Sequence, residues 1–166
     1  MLPLTTMTAT RPTVNPWMVS VYAGLATALI AFATSLLFQA EILVLYVLAF
    51  LLIGTGPIIG YQLATGQLGR DWKSLIAGFL SFILLPLGWM LWPILVGAMT
   101  RGQSIGKLFI GSLLGFILGV VVFLVVATVL GQDPNWIGIG FVLLCAVWGG
   151  TCGAAMAAWG DPYAES

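Results

Sequence analysis

Histidine is absent from this chain. Its absence removes the commonest metal ligand, the usual axial ligand of haem and the commonest general base, so neither histidine-ligated haem nor histidine-ligated chlorophyll is expected. Charge is also scarce. Only 6% of residues are Asp, Glu, Lys or Arg, against roughly a quarter in an ordinary soluble domain. Five Lys and Arg balance five Asp and Glu, which excludes the basic footprint of a nucleic-acid binder and a polybasic lipid-binding tail. No polar stretch is long enough to build a soluble domain, so no partner for one is expected.

Cysteine is nearly missing too. Cys145 and Cys152 lie seven residues apart on one predicted helix. That separation rises about 10 Å along a helix, while a disulfide needs Cα atoms within about 7 Å. The pair reads as small buried residues at a helix contact. A CxxC pair, a Walker loop and a dinucleotide fingerprint are absent, and Ser81 and Ser112 sit in apolar runs with no base near them in sequence. The chain is therefore read as a non-enzyme that requires no cofactor and binds no metal. There is no internal repeat, so an inverted-repeat transporter is not supported.

What remains is hydrophobic: 61% of 166 residues. A soluble protein of this length could not hide so much apolar surface, because much of a small domain's surface stays wet. Lipid must be the solvent. Five uncharged stretches, about 17–38, 42–63, 75–99, 105–130 and 136–159, each approach or exceed the roughly 20 residues that cross a bilayer as helix. The fold class that follows is an all-α integral membrane protein, a polytopic bundle of five hydrophobic segments. A short polar tail, 1–16, precedes a single transmembrane helical domain, 17–159, and a second polar tail, 160–166, follows it.

Local signals support these boundaries. Asn15 reads as an N-cap with Pro16 at the first helical position. The first stretch is too long for a signal-peptide core and lacks a cationic flank, so it is expected to be retained. Asp71 reads as the cap of the third segment, Ser104 of the fourth and Asp133 of the fifth, with Gly131 ending the fourth. Trp17, Trp72, Trp136 and Trp159 fall where an aromatic belt would lie. Helix breaks are predicted at Gly54 to Pro57 and at Pro86 to Gly88, since proline and glycine loosen the backbone ladder.

Two topologies fit. If all five segments cross, Arg11, Arg70 and Lys73 lie on one side and Arg101 and Lys107 on the other, which barely biases orientation. If 75–99 is a re-entrant hairpin turning at Pro86-Leu87-Gly88, all five cations share one side, and Glu41 and Asp133 remain on the other.

Three features carry what the sequence says about function. Gly111, Gly115 and Gly119 lie along one face of the fourth span, and Gly149, Gly153 and Ala157 offer a similar strip on the fifth. Gly56 and Gly60 repeat the spacing on the second. Small residues at this spacing let helix backbones approach closely, within the chain or against a neighbouring subunit. Trp89 and Trp92 lie in the third segment, and in either topology at least one sits deep, where it would pack the interior or offer a flat surface to a lipid, carotenoid or other isoprenoid. Finally, residues 102–111, Gly-Gln-Ser-Ile-Gly-Lys-Leu-Phe-Ile-Gly, resemble the glycine-lysine-glycine motif of the RDD family of small bacterial membrane proteins. The resemblance covers only that stretch. The paired aspartates of that family have no counterpart inside a span here, so no function is carried over.

The expected function is a non-catalytic accessory subunit or assembly factor. It would pack laterally in a larger membrane complex of respiratory or photosynthetic type, among other membrane subunits and lipids, with lipid or carotenoid possible in its grooves. The alternative is a small channel or transporter whose pore is lined by broken helices.

Overall fold

The structure is a computed structural model, and it describes residues 14–84, 87–100, 102–130 and 134–160. Its elements are α1 (Pro16–Gln39), α2 (Leu43–Leu52), a 3-10 turn (Ile53–Thr55), α3 (Gly56–Thr65), α4 (Trp72–Ser81), α5 (Gly88–Met99), α6 (Ile105–Leu130) and α7 (Pro134–Trp159). Every regular element among the described residues is helical. Four helices are long and apolar enough to cross a membrane: Pro16–Gln39, Leu43–Thr65, Ile105–Leu130 and Trp136–Trp159. The chain is a multi-pass helical membrane bundle.

The helix starts follow from capping chemistry. The Asn15 side chain accepts the Trp17 N–H at 3.0 Å, and Pro16 fills the first turn. Asp71 accepts the Ser74 N–H at 3.2 Å and opens α4. At the other end of α3, Gly66 takes a left-handed conformation with φ of 67°, the geometry that ends a helix without a Cβ penalty. Gly131 and Asp133, the expected stop and cap between the last two spans, lie outside the described residues.

Helix α7 is the hub, with α1 on one side and α6 on the other. Along the α1 seam, Gly138 abuts Ser35, Gly149 abuts Thr27 and Gly153 abuts Ala23. Position rises on one helix as it falls on the other, so the pair is antiparallel. On the α6 seam, Gly111 meets Ala155, Gly115 meets Thr151 and Gly119 meets Leu144, again antiparallel. On α3, Gly56 and Gly60 press against Thr27 and Ala23 of α1.

These registers decide the topology. They gather the start of α1, the end of α3, the start of α6 and the end of α7 at one end of the bundle. The third segment leaves that end as α4 and returns to it as α5, where Gly97 packs on Ile105 at the start of α6. With 10 and 12 residues, neither helix reaches the length of about 20 needed to cross. Between them the chain turns at mid-depth, since Gly78 lies against Gly54, which is eleven residues from either end of the second span. The re-entrant reading therefore describes this fold, and the five-crossing reading does not. Arg70, Lys73 and Lys107 belong to the end where the hairpin enters, called here the charged end. Glu41 sits at the opposite end, and Arg11, Arg101 and Asp133 lie outside the described residues.

Of the two expected breaks, the first is a tightening rather than an unwinding. Residues 53–55 form a 3-10 turn inside an otherwise continuous span, with Pro57 in the first turn that follows. The second is the hairpin turn itself; Pro86 lies outside the described residues.

Candidate functional site

Buried polar side chains are the natural starting point inside a membrane, because each must find a partner. Those buried among the described residues are all uncharged: Thr27, Thr34, Thr55, Gln62, Ser74, Ser81 and Ser112. All but Ser112 of these threonines and serines satisfy themselves by donating to carbonyls one turn back, as Thr27 does to Ala23 O at 2.7 Å and Ser81 to Gly78 O at 2.6 Å. Gln62 ties down the loop at the charged end. Its amide donates to Asp71 O at 2.9 Å, and its carbonyl oxygen accepts the Gly69 N–H at 3.0 Å. No group of three or more potential metal ligands exists among the described residues.

The hairpin is pinned by two tryptophans and a serine. Trp92, fully buried, donates its indole N–H to Gly54 O at 2.7 Å. The carbonyl it reaches lies in the 3-10 turn, so the local distortion of the second span and the deep indole explain each other. Ser112 on α6 donates to Trp89 O at 2.6 Å and accepts the Trp148 indole N–H at 3.0 Å. Trp89 itself stacks on Phe116, with centroids 4.5 Å apart and planes inclined by 6°. Trp92 thus faces the interior, while Trp89 is half-buried at the edge of a cavity.

The small-residue strips are occupied within the chain. A side chain on Gly115 would collide with Thr151, and one on Gly111 with Ala155. Gly149 and Gly153 do not face the glycines of α6. They receive Thr27 and Ala23 of α1 instead, which are also the residues that Gly56 and Gly60 meet. Ala157 is partly buried against the core. One stripe of α1 is therefore clamped between glycine pairs from two different helices.

Above the hairpin tip the packing changes. Helix α2 rests on the end of α1 and on the tip of the hairpin, and it reaches α7 through Phe50, which stacks on Phe141 with centroids 6.3 Å apart and planes inclined by 21°. Its residues 43–48 are exposed or half-buried, and Ala49 is its one buried residue. A groove of about 830 Å³ opens between α2 and the α6–α7 pair, with Ser35, Gln39 and Glu41 at its mouth and Phe38, Tyr46 and Phe141 along its walls. A deeper cavity of about 370 Å³ adjoins it, walled by Phe50, Phe82, Phe116, Phe141 and Trp148, with Gly88 and Trp89 of the hairpin at its floor. Phe141 lines both. Aromatic contacts run from mouth to floor: Phe38 to Tyr46 at 5.3 Å, Tyr46 to Phe50 at 6.2 Å, Phe50 to Phe82 at 5.9 Å and Phe82 to Trp148 at 5.4 Å. Both volumes lie within the roughly 300–1,000 Å³ of ordinary ligand pockets.

Sequence reasoning singled out Trp89 at this site and missed the rest of the wall. Tyr46 and Phe50, four residues apart on α2, share a face and were the available signal. Ser112 was set aside for want of a neighbouring base; its partners are indole and carbonyl groups 23 and 36 residues away. Compared with known proteins, the chain matches no family, no curated protein and no solved structure.

Proposed function

We propose that this protein works without chemistry of its own, as an accessory subunit or assembly factor that sits laterally in a larger membrane complex and holds a lipid chain in its aromatic groove. The groove carries the reading. It is apolar, walled by rings, open sideways between α2 and α6, and its buried surroundings hold no charged side chain among the described residues. Such a surface suits dispersion contacts with a hydrocarbon chain. Apart from Glu41 at its mouth, its lining among the described residues carries no Asp, Glu, Lys or Arg and no cluster of metal ligands.

A re-entrant hairpin is also the architecture of many pores, which keeps a channel as the competing reading. The packing favours the first. The space between hairpin and spans is filled by Trp92, Ile53, Ile58, Val96 and Leu108, all essentially inaccessible, and the groove floor is aromatic. Extraction in mild detergent tests the choice. The accessory reading expects a stoichiometric larger complex that is weakened when this chain is deleted. It is overturned if the isolated protein catalyses a turnover, or carries a saturable flux in liposomes.

A further inference from the structure

The depth and the mouth of the groove narrow its occupant. On α2, Leu43 and Tyr46 line the outer groove and Phe50 and, in the 3-10 turn, Ile53 line the inner cavity, about 15 Å of helix in all at 1.5 Å per residue. That is half of a hydrocarbon core roughly 30 Å thick. The floor is the hairpin tip, where Gly88 packs on Phe82 and Trp89 stacks on Phe116. The outer groove and the inner cavity together are one leaflet deep, with the stacked rings of Phe50 and Phe141 at their junction, and the path is blocked at mid-depth to any rod that spans both leaflets.

The mouth is asymmetric in charge. Glu41 is the only Asp, Glu, Lys or Arg among the described residues at that end, and its side chain lines the opening beside Gln39 and Ser35. It also holds a left-handed backbone, with φ of 58°, which a residue with a Cβ adopts seldom and at some cost. The cations Arg70, Lys73 and Lys107 are all at the far end. A negatively charged mouth above an apolar, chain-length slot complements an amphiphile with a positive group in its head.

Resting on the lipid-holding reading above, we infer that the groove takes one chain of a lipid from the leaflet at the Glu41 end, and that Glu41 selects a headgroup bearing an amine over an anionic one.

The test uses the full chain reconstituted in vesicles of equal phosphatidylethanolamine and phosphatidylglycerol with matched acyl chains. It is then transferred to mild detergent, and retained lipid is read by native mass spectrometry. One amine-headed lipid per chain is expected. Glu41→Gln should lower the ratio of amine-headed to anionic lipid roughly two- to fivefold, the range expected of an exposed ion pair, with total retained lipid unchanged. Ile137→Trp, which adds bulk to the α7 wall at the mouth, should reduce both lipids together. An unchanged ratio in Glu41→Gln, or a preference for the anionic lipid in the parent chain, overturns the selection by Glu41 and leaves the groove reading standing. Absence of any retained lipid in the parent chain overturns the groove reading, and the selection with it. Thermal melting of each variant separates these outcomes from a failure to fold.

Discussion

The two halves of this bundle are built from the same four spans and pack differently. In the half near the charged end, glycine and alanine stripes draw α1, α3, α6 and α7 together, and the hairpin fills the remaining space with Trp92 and Val96. In the half near Glu41 the hairpin is missing, α2 meets α7 at the ring stack of Phe50 and Phe141, and large aromatic side chains line an open groove. In lipid the hydrophobic effect does not drive helices together, so close packing must come from small residues and polar contacts. Where those are present the bundle closes. Where they give way to rings and aliphatic chains, a helix has no reason to leave the lipid, and the gap becomes a place for something else.

This contrast breaks outright if the third segment crosses the membrane, so the largest expected effect is a labelling result. Leu68 and Ser104 are exposed at the charged end and Ala40 at the other. In sealed vesicles an impermeant thiol reagent should modify Leu68→Cys and Ser104→Cys from the same side and Ala40→Cys from the opposite one. Native Cys145 and Cys152 are buried and should stay silent. Labelling of Leu68→Cys and Ser104→Cys from opposite sides would restore five crossings and remove the floor of the groove. The clustering of cations further predicts that the shared side is the cytoplasmic one.

Next in size are substitutions in the closed half. A Cβ on Gly54 would strike the carbonyl of Gly78, and one on Gly115 would strike Thr151 and crowd the Trp148 backbone. Overpacking a core commonly costs about 1–3 kcal/mol, and at Gly54 the obstacle is backbone, which has little freedom to give. Gly54→Leu and Gly115→Leu should lose the monodisperse peak in detergent size exclusion. Val44→Trp, exposed on α2 and outside the lining of both cavities, should keep it. Normal assembly of Gly54→Leu would mean that the closed half is looser than its register implies.

The hydrogen bonds that hold the hairpin rank third. Trp92→Phe keeps the ring and removes the N–H that reaches Gly54 O. Ser112→Ala removes both the donor to Trp89 O and the acceptor of Trp148. Polar contacts between membrane helices are worth about 0.6 kcal/mol on average and up to about 2. Each variant should therefore melt a few degrees early without losing its fold. An unchanged melting temperature for both would place the stability of the hairpin in its apolar contacts alone.

How much of this was legible beforehand depends on the range of the interaction. Span positions, the Asn15 and Asp71 caps and the disturbance at Gly54 to Pro57 are local, and composition and spacing reveal them. The choice between five crossings and a hairpin is not local. It rests on which faces of α1, α6 and α7 meet, and a glycine stripe looks the same whichever helix it receives. Gly149 and Gly153 illustrate the limit: their spacing matches the α6 glycines, yet they clamp Thr27 and Ala23 of α1. The groove was harder still, because it arises where the first turns of α2 leave the α6–α7 pair while Phe50 still meets Phe141. Aromatic residues at 46, 50, 116 and 141 are ordinary in membrane helices until the fold lines them up.

The smallest expected effect lies on the open side and is the sharpest measure of the difference between the halves. Tyr46 is half-buried on α2 and meets Phe38 and Phe50 at a tilt, with planes inclined by 52° and 54°. Aromatic pairs of this kind add about 0.5–1.5 kcal/mol each beyond area burial. Tyr46→Leu gives those contacts up but leaves an apolar residue on a surface that lipid already wets. Its cost should stay near 1 kcal/mol or below, because no cavity forms in a closed core and the surrounding hydrocarbon adapts to the new shape. Lipid retention should respond more than stability does, since the ring is a rung of the groove wall. A detergent-extracted Tyr46→Leu protein is therefore expected to melt within a few degrees of its parent while keeping less bound lipid in native mass spectrometry. If it instead unfolds as Gly54→Leu does, α2 is held by more than its foot, and the open half is a second core rather than a binding face.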